Sequence, residues 1–278
     1  MRFVRDDDLA EAIGRLRAAG CVFAEDEAAV LGEAAADAET LWDLVRRRTG
    51  GEPLEQVVGY ADFCDVRVRL RPGVFVPRVR SELLVDLASR HLTGGRARDA
   101  QLDGAAEARA HVVVDLCCGS GALGMAVRHR VPAIELHAAD SDPAAVACAR
   151  DNLGANVHEG DLFGALPGHL RGRVEVLLAN VPYVATRHIP FLPAEARLHE
   201  PLTALDGGDD GLDVFRAVVC AAGAWLAPGG LLLSEITADQ AAAATDAVCA
   251  AGLHARVHTD EDLEATVVTA TSPRGEHP

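Results

Sequence analysis

The chain has 278 residues, of which 49% are hydrophobic but only 4% aromatic, so it can bury a sizeable core built mainly from Leu, Val and Ala. Its formal net charge of −16 disfavours attraction to phosphate backbones, and nucleic acid is therefore not expected as its main partner. The chain contains no lysine, which excludes a phosphate-loop lysine, a Schiff-base lysine and a kinase-type lysine.

The cysteines and the N-terminus bear on the compartment. Seven cysteines are scattered along the chain without a C-x-x-C pair, and an odd number argues against a complete set of disulfides. The N-terminus lacks a signal-peptide core, and no apolar stretch reaches membrane-spanning length. These features predict a reduced, cytoplasmic protein without membrane contacts, and they leave the oligomeric state undetermined.

The first 110 residues predict two small regions ahead of a larger one. Residues 1–50 are rich in Ala, Glu and Asp with Leu and Val at helical spacing, which predicts a small N-terminal helical domain. Alternating apolar residues followed by Pro72-Gly73 predict a β-hairpin linker over residues 51–80. A helix is expected over 81–91, and the Gly, Arg and Ala of residues 93–110 predict a surface linker.

Strands and helices alternate after residue 110, so the third region, residues 81–278, is predicted to be α/β with a parallel sheet covered by helices on both faces. The last two predicted strands have no helix between them and should pair as an antiparallel hairpin. The predicted strands include His111–Leu116, Ile134–Ala139, 174–179, Leu231–Glu235, His254–His258 and Ala265–Ala270. A long loop is expected from residue 180 to about residue 210.

The first strand of this region leads into a glycine-rich turn that could hold a nucleotide-like ligand. Gly119, Gly121 and Gly124 match G-x-G-x-x-G, a pattern that alone does not separate a dinucleotide site from a site for S-adenosylmethionine. Asp115, at the strand end, favours the methyl donor because its carboxylate could meet the methionine portion, directly or through water. Asp140 follows Gly121 by 19 residues, close to the ~20 expected of an acid that binds a ribose hydroxyl.

A second acidic position follows the presumed third strand, at Gly160-Asp161-Leu162. Asp161 could accept a hydrogen bond from an adenine amine, and Leu162 could pack on the adenine ring. The alternative interpretation is a helix cap at Asp161 and a core position for Leu162.

The sequence Asn180-Val181-Pro182-Tyr183 follows a short apolar run, so a polar amide lies at the end of a buried strand, where parallel sheets bind ligands. The Asn180 side chain can accept a hydrogen bond from a substrate NH2 group, and Tyr183 can cover a flat group. The alternative for Asn180 is a turn-forming residue. Together with the glycine-rich turn, this sequence indicates methylation of a planar nitrogen by S-adenosylmethionine.

Over most of its length the chain resembles the HemK/PrmC-type protein-(glutamine-N5) methyltransferases. The resemblance rests on ordered matches at Gly51-Glu52-Pro53-Leu54, Pro72-Gly73-Val74, Val76-Pro77-Arg78, Asp115 to Gly121, Asn180 to Tyr183, Glu200-Pro201, Ala204 to Gly208, Pro228-Gly229-Gly230 and Glu235-Ile236. It implies a Rossmann-like, seven-stranded class I methyltransferase sheet, S-adenosylmethionine as cofactor, and a protein substrate such as the Gly-Gly-Gln segment of a peptide-chain release factor.

The resemblance also implies roles for the residues of the site. The Asn180 side-chain oxygen and the Val181 carbonyl would hold a glutamine amide, Pro182 and Tyr183 would shape the slot, and Asn180 would border the cofactor as well. Pro77-Arg78 would lie near the entry of the substrate. Cys117, Cys118, Gly119 and Gly121 would surround the cofactor with Asp115, Asp140, Asp161 and Leu162.

The chain departs from the family pattern at three places. Val181 replaces the first Pro of Asn-Pro-Pro-Tyr, although Pro182 still favours an extended backbone there. Cys117-Cys118 replaces Gly-Thr, which could narrow the methionine pocket. Val79-Arg80-Ser81 replaces Pro-Glu-Thr beside the substrate entry.

Three alternatives remain open from the sequence. The enzyme could methylate another planar nitrogen, in a small-molecule amide or at adenine N6. The glycine-rich turn could belong to a nicotinamide-dependent oxidoreductase. The protein could bind S-adenosylmethionine without turnover. No metal is expected, since His188, His199, His254 and His258 show no metal-ligand spacing.

Overall fold

The structure is a computed structural model that describes residues 4–102 and 110–273, of which residues 95–102 are described by their backbone alone. Its N-terminal part is helical, and buried residues such as Leu16, Leu31 and Leu41 form a small core of their own. Apolar residues at helical spacing therefore meet on the inner faces, as the sequence predicts. The helices are α1 (Asp6–Ala18), α2 (Ala24–Ala34), α3 (Ala38–Thr49) and α4 (Leu54–Val58).

A two-stranded hairpin and a long helix connect this part to the main sheet. Strands β1 (Tyr60–Phe63) and β2 (Val66–Arg69) pair antiparallel, and α5 runs from Glu82 to Leu102. The prediction of a linker is therefore wrong over residues 93–102, because the Ala, Arg, Gln and Leu of this segment favour a helix despite its two glycines. Residues 103–109 of the predicted linker lie outside the described residues.

The main sheet has seven strands in the order β5-β4-β3-β6-β7-β9-β8. Strand β9 is antiparallel to both of its neighbours, and the other described pairs are parallel. The predicted seven-stranded sheet and C-terminal antiparallel hairpin are confirmed. The strands are β3 (His111–Leu116), β4 (Ile134–Asp140), β5 (Val157–Glu159), β6 (Val174–Ala179), β7 (Leu226–Glu235), β8 (His254–Asp260) and β9 (Ala265–Thr271).

Helices cover both faces of the sheet, and each face has its own buried cluster. Residues of α5 and α6 belong to one cluster, whereas residues of α9 and α10 belong to the other together with the buried Trp225. None of the described helices is long and apolar enough to cross a bilayer. The remaining helices are α6 (Ala122–Arg130), α7 (Pro143–Leu153), α8 (Ala194–His199), α9 (Asp213–Ala222) and α10 (Ala241–Ala250).

The parallel register brings three polar strand ends together. Asp115 lies beside Ala138 of β4 and Leu178 of β6, so β3, β4 and β6 end at one edge of the sheet. Asp140 ends β4, and Asn180 follows β6 directly. The carboxyl ends of these strands, with β4 on one side of β3 and β6 on the other, are where open parallel sheets hold their ligands.

Candidate active site

A cavity of about 550 Å³ opens at this edge of the sheet, which is in the range of small-molecule sites. Every predicted site residue lines it except Asp115 and Gly121. Residues from the strand ends, from the segment before α5 and from the segment around α8 contribute to its wall. The residues predicted for cofactor and substrate are thus brought together in a single cavity.

The turn after β3 is tied to the end of β4. The Gly119 N–H donates to Asp140 Oδ2 at 2.9 Å, and the Asp142 N–H donates to Asp140 Oδ1 at 2.9 Å. Burial raises the pKa of the Asp140 carboxyl. Each carboxylate oxygen keeps a further lone pair, so Asp140 can still accept from a ribose hydroxyl while it holds the turn.

Gly121 does not line the cavity and packs against α7, so its contact with the cofactor stays a prediction. It adopts a φ of +78°, and a Cβ at this position would lie 2.6 Å from Leu153 Cδ1 of α7. A larger residue would force the Leu153 side chain to shift and would be strained at this positive φ. The glycine therefore fixes where the first turn of α6 begins, and through it the backbone of the cofactor turn.

Asp115 lies beneath the turn and does not line the cavity. Its Oδ2 accepts a hydrogen bond of 2.9 Å from the Gly124 N–H, whereas its Oδ1 has no partner among the described residues. Burial raises the pKa of this carboxyl to about 7. Contact of Asp115 with a methyl donor, directly or through water, stays a prediction.

Two cavity residues adopt left-handed backbone conformations that are costly for L-residues other than glycine. Cys117 has a φ of +53° and Leu162 a φ of +43°. Such conformations cost roughly 1–2 kcal/mol each and persist where the surroundings impose them. Asp161 occupies the N-cap position of the 3₁₀ turn Leu162–Ala165, as the alternative interpretation has it, but its side chain makes no capping hydrogen bond. Its carboxylate is left available to the cavity it lines.

The orientation of the Asn180 amide is fixed by a chain of hydrogen bonds. The Ser81 hydroxyl donates its single proton to Glu235 Oε2 at 2.6 Å, so towards Asn180 it can only accept. Accordingly Asn180 Nδ2 donates to Ser81 Oγ at 3.3 Å. The amide oxygen, Oδ1, is left buried and without a partner among the described residues. A buried acceptor without a partner is costly, and a bound N–H donor would satisfy it.

Glu235 also holds Tyr183. The Tyr183 hydroxyl donates to Glu235 Oε1 at 2.5 Å, and Arg80 Nε lies 2.7 Å from the same oxygen. Arg80 Nη2 donates to the Tyr183 hydroxyl at 2.9 Å. Burial and the neighbouring Glu235 charge raise the pKa of Tyr183, so the phenol stays protonated and rigidly placed.

Two glycines of the 207–211 segment pack directly against the backbone of the Asn180–Tyr183 loop. A Cβ on Gly207 would lie 2.6 Å from the Pro182 carbonyl oxygen, and a Cβ on Gly211 would lie 2.3 Å from the Tyr183 carbonyl oxygen. Gln240 Nε2 donates to the same Tyr183 carbonyl at 2.9 Å. The loop thus rests directly on bare backbone, which explains why this segment is rich in glycine.

Pro77 and Arg78 lie on the cavity wall, and Arg78 is held by a buried acid. Arg78 Nη2 contacts Glu200 Oε1 at 2.5 Å, and the Val76 N–H donates to the same oxygen at 3.3 Å. Glu200 Oε2 has no partner among the described residues, and burial raises the pKa of this carboxyl. The pair anchors the segment before α5 to the segment after α8.

Comparisons with known proteins identify the family to which this chain belongs. The model of the family "Methyltransferase small domain" matches residues 66–208, about half of the chain. The release factor glutamine methyltransferase of Moorella thermoacetica is 34% identical over 225 residues, which are 80% of this chain and 75% of that protein. This chain belongs to the release factor glutamine methyltransferase family. It is a methyltransferase that depends on S-adenosylmethionine.

The chain is also similar to a methyltransferase with another named substrate and to a solved methyltransferase structure. The 4-amino-L-phenylalanine/4-methylamino-L-phenylalanine methyltransferase of Streptomyces pristinaespiralis is 36% identical over 197 residues, 70% of this chain and 64% of that protein. A solved structure of a ribosomal protein L11 methylase from Lactobacillus delbrueckii subsp. bulgaricus matches with a TM-score of 0.49 at 14% identity, covering 74% of this chain and 86% of that one. Family membership therefore rests on the sequence relatives.

The residues of this methyltransferase fit S-adenosylmethionine. The turn at Gly119 offers bare backbone, Asp140 offers a carboxylate at the end of β4, and Asp161 offers an acceptor that no helix cap uses. Leu162 lines the same part of the cavity. When bound, the cofactor supplies an electrophilic methyl group on its sulfonium sulfur. The assignment of each residue to one part of the cofactor stays a prediction.

Sequence reasoning missed the residues that position the others. Ser81, Glu235 and Gln240 contribute hydrogen bonds to the Asn180–Tyr183 loop from three separate segments of the chain. Glu235 lies within a matched part of the family pattern, and this match was the one available signal. No spacing in the sequence indicates that its carboxylate meets Ser81 and Tyr183.

Proposed function

We propose that this methyltransferase transfers a methyl group to the side-chain amide nitrogen of a glutamine in a protein, and that the protein is a peptide-chain release factor with a Gly-Gly-Gln segment. Relatives named release factor glutamine methyltransferase support the substrate class. All seven cysteines are free thiols, as expected of an enzyme that meets its substrate in the reducing cytoplasm. Pro77 and Arg78 on the cavity wall offer a contact for the polypeptide around the glutamine.

The unpartnered Oδ1 of Asn180 is the observation on which the proposal depends. A primary amide has two N–H bonds on one planar nitrogen and needs two acceptors. Asn180 Oδ1 is one of them, and the Val181 carbonyl, which accepts no hydrogen bond within the described ranges, is the other. Adjacent backbone and side-chain oxygens suit a flat NH2 group. Val181 keeps this acceptor although the family has proline there.

The chemistry requires orientation more than acid–base help. An amide nitrogen is a weak nucleophile because its lone pair is delocalised into the carbonyl. Two acceptors draw the N–H protons away from the nitrogen, raise its electron density and fix the direction of attack. Neither Asn180 nor Val181 must act as a strong base, since the nitrogen becomes acidic once methylated and then loses a proton. Alignment of this kind can contribute roughly 7–11 kcal/mol.

Tyr183 and Pro182 confine the substrate amide. The Tyr183 ring is held at its hydroxyl by Glu235 and Arg80, so it can border the slot without moving. Pro182 fixes the backbone that presents the Val181 carbonyl. The slot then excludes water from the nitrogen, which would otherwise compete for both acceptors.

A small aromatic amine is the second candidate substrate. A relative of 36% identity is named for methylation of 4-amino-L-phenylalanine, whose amino group also carries two N–H bonds on a near-planar nitrogen. The same pair of acceptors would suit it. The adenine alternative is disfavoured by the net charge of −16, and the family assignment does not favour the nicotinamide alternative.

Methyl transfer from labelled S-adenosylmethionine to a purified release factor tests the proposal. We expect label on the glutamine of Gly-Gly-Gln, and none on a release factor in which this glutamine is replaced by Ala. Asn180→Ala should lower the rate of methyl transfer by roughly 10²-fold or more, because the substrate amide nitrogen loses one of the two hydrogen-bond acceptors that orient it. Cofactor binding by this variant, measured by calorimetry, should persist.

The same assay separates the rivals. Label on 4-amino-L-phenylalanine and none on the release factor would transfer the proposal to the small amine. Tight cofactor binding with no label on the release factor, on 4-amino-L-phenylalanine or on nucleic acid would favour a protein that binds S-adenosylmethionine without turnover. In that case the glutamine proposal is wrong.

A further inference from the structure

A second group of chemically capable side chains lies away from the cavity, on β4 and the turns that follow β5. Glu135 and His137 are two residues apart on β4, so their side chains leave the same face of the sheet. His169 reaches them from the short 3₁₀ turn Gly168–Leu170. None of the three lines the cavity described above.

The donor atoms of these side chains converge. One ligand atom from each of Glu135, His137 and His169 lies within 4.8 Å of the other two, the one such group of His, Cys, Asp and Glu found between residues 4–102 and 110–273. His137 Nε2 is 3.2 Å from Glu135 Oε1. Two ligands of one tetrahedral zinc ion, each 2.0–2.1 Å from the metal, are about 3.3 Å apart.

The exposures of the three residues suit a site that an ion can enter. The His137 ring is almost fully buried, Glu135 is half-buried and His169 is exposed. The ring nitrogens of His169 make no hydrogen bond within the described part of the chain. A rotation of this one exposed side chain closes the remaining distance, while the buried ring and the strand supply a fixed pair of ligands.

His158 completes the surroundings as an outer partner. Its Nε2 is 3.1 Å from His137 Nδ1, and the two rings stack with centroids 5.4 Å apart. A metal-binding histidine usually gives its other ring N–H to a neighbouring acceptor, which fixes the tautomer that leaves the ligating nitrogen free. His158 offers that acceptor to His137, so Nε2 of His137 faces Glu135 as a ligand should.

We propose that Glu135, His137 and His169 bind one divalent transition metal ion, with zinc as the ion that best matches the donor set. Two imidazoles and one carboxylate form a known zinc set that leaves a fourth position open. Arg173 Nη2 lies 3.5 Å from Glu135 Oε2, the other carboxylate oxygen. The Glu135 carboxylate can therefore bind the metal ion through Oε1 and the Arg173 guanidinium through Oε2. The ion would join β4 to the turn after β5. This site is independent of the proposed substrate.

Zinc binding by the full, untagged chain tests the proposal. Calorimetric titration with ZnCl2 in a buffer that does not chelate should give one site per chain. His169→Ala and Glu135→Gln should each lower the affinity by roughly 100-fold, since each removes one of three ligands. The matched control is His254→Ala, because His254 is an exposed histidine on β8, the strand at the far side of the sheet from β4. This variant should bind zinc as the unmodified chain does.

Two further measurements separate a site built from these three residues from nonspecific zinc binding. The melting temperature should rise with zinc in the unmodified chain and in His254→Ala but not in the two ligand variants, whose metal-free melting should be unchanged. The spectrum of the Co²⁺ form should lack a thiolate charge-transfer band, because the cysteines are not ligands. Equal affinity in His169→Ala, a thiolate band, or no binding by the unmodified chain would overturn the proposal.

Discussion

The hydroxyl of Ser81 donates a 2.6 Å hydrogen bond to Glu235, and this one bond decides which end of the neighbouring Asn180 amide is left without a hydrogen-bond partner among the described residues. Because the single hydroxyl proton is used on the carboxylate, Ser81 can only accept from Asn180 Nδ2. The Asn180 oxygen must then face away from Ser81. Ser81 and Glu235 act as positioning residues, since they hold Asn180 without being placed to touch the reacting nitrogen.

Loss of the Ser81 hydroxyl should therefore slow catalysis without weakening cofactor binding. In Ser81→Ala the Asn180 amide can rotate, and we expect kcat to fall roughly 10- to 100-fold, as small misplacements of guiding groups do. Ser81→Thr retains the hydroxyl and has the residue that the family has there, so its kcat should stay within roughly threefold of the unmodified value. Steady-state kinetics with the methyl acceptor and calorimetry with S-adenosylmethionine provide both readouts. An unchanged kcat in Ser81→Ala would contradict the positioning role.

The two adjacent cysteines should differ in how much stability is lost when each is replaced by glycine. Cys117 has a φ of +53°, so Cys117→Gly relieves backbone strain that offsets the lost side-chain packing, and the free energy of unfolding should change by less than about 1 kcal/mol. Cys118 packs against Ala138 and Val146 without such strain, so Cys118→Gly should cost about 2 kcal/mol. Urea unfolding of both variants measures the difference. Equal losses would mean that the conformation of Cys117 carries no strain.

The buried carboxyl of Asp115 should make stability depend on pH in a defined window. Its pKa is about 7 in the folded chain and near 3.8 in the unfolded chain, so between these values the folded state binds more protons. The stability contributed by the neutral acid is present at low pH and is lost as the pH rises towards 7. Relative to Asp115→Asn, which does not titrate, the unmodified chain should lose up to about 1.4 kcal/mol per pH unit in this window.

Unfolding of both chains at pH 5, 6, 7 and 8 measures the effect of Asp115. The difference between them should change between pH 5 and 7 and become constant near pH 8. The carboxyl of Asp140 titrates in both chains, so the difference between them reports Asp115 together with its charge interaction with Asp140. A difference that is constant over the whole range would show that Asp115 is ionised in the folded chain at pH 5.

Arg48 should matter for stability far more than its neighbour Arg46. The Arg48 side chain is 11% exposed and contacts Glu27 of α2 at 2.6 Å and Glu195 of α8 at 2.5 Å. Arg48→Ala leaves the nearly buried Glu27 charge without its partner and should lower the free energy of unfolding by about 2–3 kcal/mol. The Arg46 side chain is 75% exposed, and within the described part of the chain its one ion pair is with Asp43, so Arg46→Ala should change stability by less than about 0.5 kcal/mol.

Denaturant unfolding of the two arginine variants makes this comparison directly. The two replacements remove the same side chain from the same helix, α3, so differences in helix propensity cancel. A loss in Arg46→Ala as large as that in Arg48→Ala would show that the charge of the helix end matters rather than the contact with Glu195. The contact ties the N-terminal helices to the segment that borders the cavity.

Features that depend on neighbours along the chain could be predicted from the sequence. Alternation of apolar runs with helical spacing predicted the parallel sheet, and the missing helix between β8 and β9 predicted their antiparallel pairing. The glycine turn and Asn180–Tyr183 each lie at the end of a buried strand, which placed them at one edge of the sheet. Local patterns failed over residues 93–102, where glycines indicated a linker but good helix formers continue α5.

Contacts between side chains of distant segments depend on the folded chain and could not be predicted from local patterns. Ser81 and Glu235 are 154 residues apart, yet their bond sets the orientation of Asn180. Glu135, His137 and His169 converge from two elements without any regular spacing. Hydrogen bonds and ligand sets of this kind depend on distances of about 3 Å between atoms, whereas sequence patterns fix only the period of a helix or strand. Folding supplies the remaining information because packing of the sheet leaves each buried polar atom very few partners.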